Sequence, residues 1–154
     1  AASAIWTRFK QLMPDITPLA PNPAALEFLL NRRSRPPKHL GERVPDEAAL
    51  STILTAAARV PDHGKLTPWR FIVMEKTANQ RVGAIIREKG QGWDLTPSRQ
   101  QMVANVFSNA GLVVAVVASP KEGGIPVWEQ PASASAVCLG LVNAAIAAGW
   151  GACW

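Results

Sequence analysis

The sequence predicts a single domain that mixes helices and strands in the order α-α-β-α-α-β-α. Its 154 residues suit one hydrophobic core, because two smaller cores would each be marginal. Hydrophobic residues make up 48% and charged residues 18%, a balance that excludes a disordered chain. Two short apolar runs predict strands, and five segments with apolar residues every three or four positions predict helices.

The starts and ends of the elements follow from local signals. Asn22 and Pro23 predict the cap and first position of one helix, and Pro45 or Asp46 opens the next. Gly90 predicts the C-cap of a later helix. The predicted strands are 70–75 and 112–118. The helices predicted after the first strand are 77–89, one that starts at 96, and 132–148. The second strand shows no alternation, so we expect it to be buried on both faces.

The segment from Pro131 to Trp154 contains no charged residue and is long enough to span a bilayer. However, it is rich in Ala, Gly and Ser and lacks the large apolar residues that drive insertion. We therefore expect a buried helix that another helix approaches closely, and no membrane partner.

The net charge of +5 favours anionic partners, which include nucleic acid, a phosphorylated cofactor and an acidic membrane surface. The string "RRSRPPKH" favours a nucleic-acid-binding module as one alternative. The aromatic residues are too few and too scattered for a base-stacking platform, so no nucleic-acid partner is expected.

Cysteine and histidine content argues against a metal enzyme. Cys138 and Cys153 have no neighbouring Cys or His to complete a metal set, and His39 and His63 are the only histidines. Two half-buried free thiols in a reducing cytoplasm are expected. The N-terminal residues 1–22 lack the features of a signal peptide, and they predict an extension that carries a surface helix. The domain is then 23–154.

The string "NRRS" (31–34) ends the first helical pattern, and it has two readings. It is either a solvated helix end, where cations are favourable, or an anion-binding cluster. Two guanidinium groups and a hydroxyl could hold a phosphate by charge-assisted hydrogen bonds. Arg35, just beyond the string, is expected to contribute little.

Three strings resemble successive signatures of the nitroreductase family: "LLNRRSRPPKHL", "AAARVPDHGKLTPWRFIV" and "PVWEQPASASAVCLGLVNAAIAAGWGACW". They occur in the right order from Ala24 to Trp154. The nearest branch is the short, single-domain NAD(P)H nitroreductases that bind FMN.

The resemblance implies an α+β fold, with a sheet flanked by helices, in a homodimer that holds two FMN sites at its interface. In similar proteins the positions of Arg32, Arg33 and Ser34 meet the flavin phosphate and polar edge, which makes the anion-binding reading the stronger one. Arg59 and His63 match positions that reach the same flavin from the partner subunit. Without the resemblance they would be a helix-end cation and a turn imidazole. Trp154 matches another flavin-site position.

A further segment matches the part of such proteins that is described as contacting the nicotinamide nucleotide, although pure helix packing explains its small residues equally well. It comprises Ala144, Ala145, Ile146, Ala147, Ala148 and Gly149. The resemblance also implies a dimer interface on helix 132–148, with Ala145 in it.

The resemblance breaks at the end of the chain. In similar proteins the tryptophan that matches Trp154 is followed by an arginine, a small polar residue and a segment that wraps on the partner. The sequence is thus expected to lack the C-terminal part of the fold. One alternative is therefore a truncated, non-catalytic flavin-binding relic.

No residue pattern predicts a nucleophile or a tuned acid–base pair, as suits an enzyme whose cofactor carries the chemistry. The resemblance implies a ping-pong reduction of nitroaromatics, quinones or similar electron-poor acceptors by NAD(P)H through FMN. FAD is not expected, since no Gly-rich dinucleotide turn follows either strand. Asp62 is expected to fix its loop through backbone amides, Trp69 to pack, and Glu129 to be at most an outer or interface acid.

Overall fold

The computed structural model describes residues 19–154 and contains five α-helices and two strands in this part of the chain. The elements are α1 (Pro23–Asn31), α2 (Glu47–Ala57), β1 (Trp69–Glu75), α3 (Lys76–Lys89), α4 (Pro97–Asn109), β2 (Leu112–Ala118) and α5 (Glu129–Ala147). The predicted order is confirmed. The surface helix predicted near the N-terminus lies outside the described residues.

Three helices begin where their capping residues predict. Asn22, Asp46 and Thr96 each accept a hydrogen bond from the backbone N–H three residues ahead, at 3.0, 2.8 and 3.3 Å. Proline follows the cap in α1 and α4, where its missing N–H has no intrahelical acceptor in any case. These starts are local properties of the sequence.

Gly90 ends α3 as predicted, but for a different physical reason. Its φ of −68° is an ordinary right-handed value, so no left-handed cap forms there. Instead, the side chain of Gln100 on α4 donates to the carbonyls of Ile86 and Arg87 at 2.8 and 3.0 Å, which caps the last turn of α3. A Cβ at Gly90 would lie 2.6 Å from the Gln100 amide nitrogen, so close approach requires the glycine.

The two strands pair antiparallel, from Trp69 opposite Ala118 to Glu75 opposite Leu112. The expectation that β2 is buried on both faces is wrong. Its residues are half-buried, and Ala118 is exposed. In β1 the successive residues Ile72 and Val73 are 41% and 40% exposed, so both faces of the sheet are partly open. Residues 19–154 supply only two strands, and their helices cover only part of this sheet.

The core lies where α5 packs against α2 and β2. Ala57, Trp69, Ala134 and Val137 form its buried cluster. A Cβ at Gly140 would lie 2.8 Å from the carbonyl oxygen of Ala57, so the backbones of α2 and α5 approach as closely as a glycine allows. The expected close approach of another helix to the small-residue segment is confirmed.

Helix α5 begins at Glu129, three residues earlier than predicted, and Pro131 lies in its first turn, where proline is tolerated. By length and composition alone this helix could cross a bilayer, with a mean hydropathy of 1.3. Only 22% of its 18-residue apolar window is buried within the described residues, so the expectation of a buried helix is wrong for most of its length, although α5 packs against α2 and β2.

Helix α1 carries the predicted apolar stripe, but the described residues do not cover it. Leu26, Leu29 and Leu30 are 59%, 56% and 76% exposed, and α1 has no buried residue. A stripe of three exposed leucines is unusual for a solvated helix face and indicates a surface that something else covers.

We predict that Gly140→Val destabilises the fold by about 1–3 kcal/mol, because its side chain would overlap the backbone of α2. Urea unfolding measures the loss. Ala84→Val is the matched control, since Ala84 is exposed in the middle of α3. Equal unfolding free energies for the two variants would contradict the close packing of α2 against α5.

Candidate functional site

The chain turns out of α1 at the "NRRS" string and presents two arginines and a serine together. The N–H of Arg32 caps α1 by donating to the Phe28 carbonyl at 2.8 Å, and the chain is extended from there. The Arg32 Nη2 donates to the Ser34 Oγ at 3.3 Å. Arg32, Arg33 and Ser34 line an open pocket of about 390 Å³. The structure thus brings the three residues of the first string to one site.

One donor of Arg32 has no partner within the described residues. The Nε of Arg32 is buried and makes no hydrogen bond there. An unsatisfied buried donor costs about 1–3 kcal/mol, and more when it carries charge. Such a donor fits a site in which a bound anion or carbonyl supplies the missing acceptor.

Arg35, which was expected to contribute little, contacts Arg33 and Ala152. Its backbone N–H donates to the Ala152 carbonyl at 2.9 Å, and its Nη1 donates to the Arg33 carbonyl at 3.2 Å. Arg33 and Arg35 line a second pocket of about 220 Å³ with residues that follow or end α5, namely Ile146, Gly149, Trp150 and Gly151. The first and third strings therefore meet in space.

The end of α5 is shaped by Gly149. Its φ of +84° is left-handed, its N–H donates to the Ile146 carbonyl at 3.0 Å, and the Trp150 N–H donates to the Ala145 carbonyl at 2.9 Å. This is a Schellman cap, which needs glycine at the left-handed position. In the predicted nucleotide segment only Ile146 and Gly149 line the second pocket, and Ala147 and Ala148 are exposed outside it.

The second string forms a strained loop between α2 and β1. Gly64, Lys65 and Thr67 have φ values of +73°, +53° and +46°, and such a value in a β-branched residue is a marked outlier. Asp62 holds this conformation, because its carboxylate accepts from the N–H groups of Leu66 and Thr67 at 3.2 and 2.7 Å. The expected role of Asp62 is confirmed. Trp69, 5% exposed, packs in the core as predicted.

His63 in this loop contacts Glu129, the first residue of α5. The His63 Nδ1 lies 2.8 Å from the Glu129 Oε2, and the two side chains are 63% and 28% exposed. A pair so open to water contributes roughly 0–1 kcal/mol to stability. Sequence reasoning missed this contact, since the two residues are 66 positions apart. The only signal for Glu129 was an acid in the string "WEQ" before the small-residue helix.

Gln130, the next residue, ties α5 to the loop before it. It is 2% exposed, and its side-chain amide accepts from the Lys121 N–H at 2.7 Å and donates to the Lys121 carbonyl at 2.9 Å. The Lys121 ammonium in turn donates to the Leu66 carbonyl. The start of α5 is thus joined to the loop before it through Gln130, and that loop is joined to the loop between α2 and β1 through Lys121.

Arg59, His63 and Trp154 do not line either pocket described above. Arg59 is exposed just after α2, and Trp154 is 77% exposed. The implication that Arg59 and His63 act from a partner subunit stays a prediction.

The two cysteines differ in environment. Cys138 is half-buried as expected, and burial raises the pKa of its thiol. Cys153 is exposed, so the expectation of two half-buried thiols is wrong for this residue. Among residues 19–154 no three side chains of His, Cys, Asp or Glu come together as a metal-binding group.

The sequence model of the nitroreductase family matches residues 29–154. The chain therefore belongs to the nitroreductase family.

Two relatives agree with this assignment. The chain is 34% identical over 131 residues to the Escherichia coli K12 protein named "Putative NAD(P)H nitroreductase YdjA", covering 84% of this chain and 70% of that protein. It is 36% identical over 132 residues to a Haemophilus influenzae protein named "Putative NAD(P)H nitroreductase", covering 84% and 71%.

Two solved structures share the fold. A nitroreductase-like family protein from Bacillus cereus superposes with a TM-score of 0.66 at 15% identity, over 88% of this chain and 70% of that one. A nitroreductase family protein from Clostridium novyi NT gives 0.57 at 21% identity, over 82% and 65%. The predicted α+β, nitroreductase-like fold is confirmed.

We predict that Asp62→Ala releases the strained loop and lowers the free energy of unfolding by about 1.5–3 kcal/mol, since two hydrogen bonds to a charged group are lost. Urea unfolding measures the loss, and amide hydrogen exchange at Leu66 and Thr67 should quicken. Asp94→Ala, at an exposed loop position, is the control. Unchanged exchange at those two amides would show that Asp62 does not hold the loop.

Proposed function

We propose that this protein is an FMN-dependent oxidoreductase that uses NAD(P)H to reduce nitroaromatics, quinones or similar electron-poor acceptors. The names of its relatives support the nicotinamide nucleotide. The observation that carries the flavin proposal is the buried Nε of Arg32, which has no partner among residues 19–154 and belongs to a residue that lines a pocket with Arg33 and Ser34.

The donor set of this pocket fits the single phosphate of FMN. Two guanidinium groups supply charge and forked N–H donors, and the Ser34 hydroxyl supplies a further donor. In the described residues β1 runs directly into α3, so no Gly-rich turn is available there for a dinucleotide pyrophosphate. We therefore favour FMN over FAD.

Bound FMN would supply the hydride chemistry by accepting a hydride from NAD(P)H and passing it to the acceptor in a ping-pong cycle. The chain's own part is to bind, orient and balance charge. Arg32 and Arg33 hold the anionic end of the cofactor, and Arg59 adds positive charge from the second subunit to stabilise the reduced, more negative cofactor. Trp154 follows the second pocket in the chain and is proposed to border the flavin.

The second pocket is proposed to receive part of the nicotinamide nucleotide. Its walls combine the guanidinium groups of Arg33 and Arg35 with the indole of Trp150, which suits an anionic, aromatic ligand. Of the segment 144–149, Ile146 and Gly149 would make this contact. The other four residues of the segment are proposed to have a structural role in the last turn of α5. They are Ala144, Ala145, Ala147 and Ala148.

The length of α5 supports the proposal of a second subunit. His63 contacts Glu129 at the start of this helix, whereas Arg33 shares a pocket with residues at its end. Nineteen residues span about 28 Å, so one chain holds these two parts of the site far apart. A homodimer that sets the start of α5 in one subunit near the end of α5 in the other would unite them. We propose such a dimer, working in the reducing cytoplasm.

The dimer is proposed to use the open face of α5. Ala132, Ser135 and Leu139 are exposed and recur at helical spacing on this face. Ala145, expected in the interface, lies eleven residues after the buried Ala134 and thus on the same, buried side of the helix. Leu139, 48% exposed, is the better position for a test.

We predict that Arg32→Ala weakens FMN binding at least tenfold, since each charge-assisted hydrogen bond contributes about 1.5–3 kcal/mol. Fluorescence titration of apoprotein with FMN measures affinity, and thermal unfolding checks the fold. Arg43→Ala, at an exposed position before α2, is the matched control. FAD as the cofactor released from native protein, or equal FMN affinity of both variants, would contradict the proposal. Tight FMN binding without turnover would support the flavin-binding relic instead.

We predict that Leu139→Glu shifts the dimer toward monomer, because a carboxylate would be buried at the interface without a partner. Sedimentation velocity measures the change. Ile85→Glu is the control, since Ile85 is 49% exposed on α3 and lies outside the proposed interface. A wild-type monomer that still binds FMN would rule out a shared site.

A further inference from the structure

The contact between His63 and Glu129 joins the second and third strings, and the established family membership assigns it no role. The His63 Nδ1 and the Glu129 Oε2 are 2.8 Å apart, a good hydrogen-bond distance. The ring is 63% exposed, so the pair stabilises the fold little. The contact is therefore of interest for its effect on the hydrogen position of the His63 imidazole.

The backbone is fixed on both sides of this contact. On the histidine side, Asp62 accepts from two loop amides, and Gly64 packs so closely on Ile125 that a Cβ would lie 3.1 Å from its side chain. On the other side, Gln130 makes two hydrogen bonds to the backbone of Lys121. Both residues of the contact are therefore held in place by their neighbours.

The carboxylate determines which ring nitrogen carries hydrogen. An ionised carboxylate can only accept, so the hydrogen bond requires a hydrogen on the Nδ1 of His63. In the neutral ring the Nε2 is then left with a lone pair. Free histidine side chains in water favour the opposite tautomer, with hydrogen on Nε2. The contact thus imposes a tautomer that the isolated residue does not prefer.

We propose that Glu129 is a positioning residue that holds His63 as the Nδ1–H tautomer and so presents its Nε2 as a hydrogen-bond acceptor. The ligand group is an O–H or N–H donor of bound flavin, such as a ribityl hydroxyl. This identity rests on the proposed function, whereas the tautomer does not depend on it. Glu129 acts only through the imidazole.

Nitrogen-15 NMR of the imidazole rings in the apoprotein tests the tautomer, at a pH well above the ordinary imidazole range. The chain has two histidines, and His39 is an internal reference because its ring makes no hydrogen bond within the described residues. We expect Nδ1–H for His63 and a return toward Nε2–H in Glu129→Gln. Glu122→Gln, exposed in the loop before α5, should leave His63 unchanged. An Nε2–H ring in the wild type, or no change in Glu129→Gln, overturns the proposal.

FMN titration tests the consequence of the tautomer for the ligand. Loss of one neutral hydrogen bond should weaken FMN binding about three- to tenfold in both Glu129→Gln and His63→Gln. The double variant should bind no more weakly than His63→Gln alone, because Glu129 acts through that ring. Additive losses, or full affinity in Glu129→Gln despite an altered tautomer, overturn the positioning role. Failure of the wild type to bind FMN removes the proposed function, and the NMR result still decides whether Glu129 sets the tautomer.

Discussion

The close approach of α2 and α5, where Gly140 meets the backbone of Ala57, is the contact on which the arrangement of the site depends. It fixes α5 against the core, and α5 in turn carries site residues at both of its ends. Its first turn holds Glu129 and Gln130 against the loops around it, and its Schellman cap brings Gly149 to the "NRRS" string. Small residues along α5 are thus needed for its close packing against α2, independently of any contact with a ligand.

The local features of the fold could be predicted from the sequence. Helix starts at Asn22, Asp46 and Thr96 depend only on a side chain and an amide three residues away. The role of Asp62 was likewise predictable, because its partners lie within five residues. The start of α5 was missed because its N-cap, Trp128, makes no side-chain capping hydrogen bond.

The non-local features could not be predicted in this way. The contact between His63 and Glu129 spans 66 residues, and that between Gln100 and the end of α3 depends on how two helices pack. The burial of β2 was predicted wrongly, because burial depends on what covers a strand and not on its own residues. For the candidate site, the motifs supplied the residues, but only the structure showed that Arg35 braces Arg33 and that one Arg32 donor has no partner among the described residues.

The helical hairpin of α3 and α4 has a consequence for how the chain folds. Its contacts are between residues near in sequence, such as Gly83 with Ser108 and Gln100 with Ile86, so little chain entropy is lost in forming it. The strands β1 and β2 enter and leave this hairpin, and Glu75 pairs with Leu112 at its base. Once the hairpin forms, residues 76–111, the 36 residues between Glu75 and Leu112, no longer act as a flexible loop. Strand pairing can then proceed from Glu75 toward Trp69, because formation of the hairpin has already caused much of the loss of loop-closure entropy.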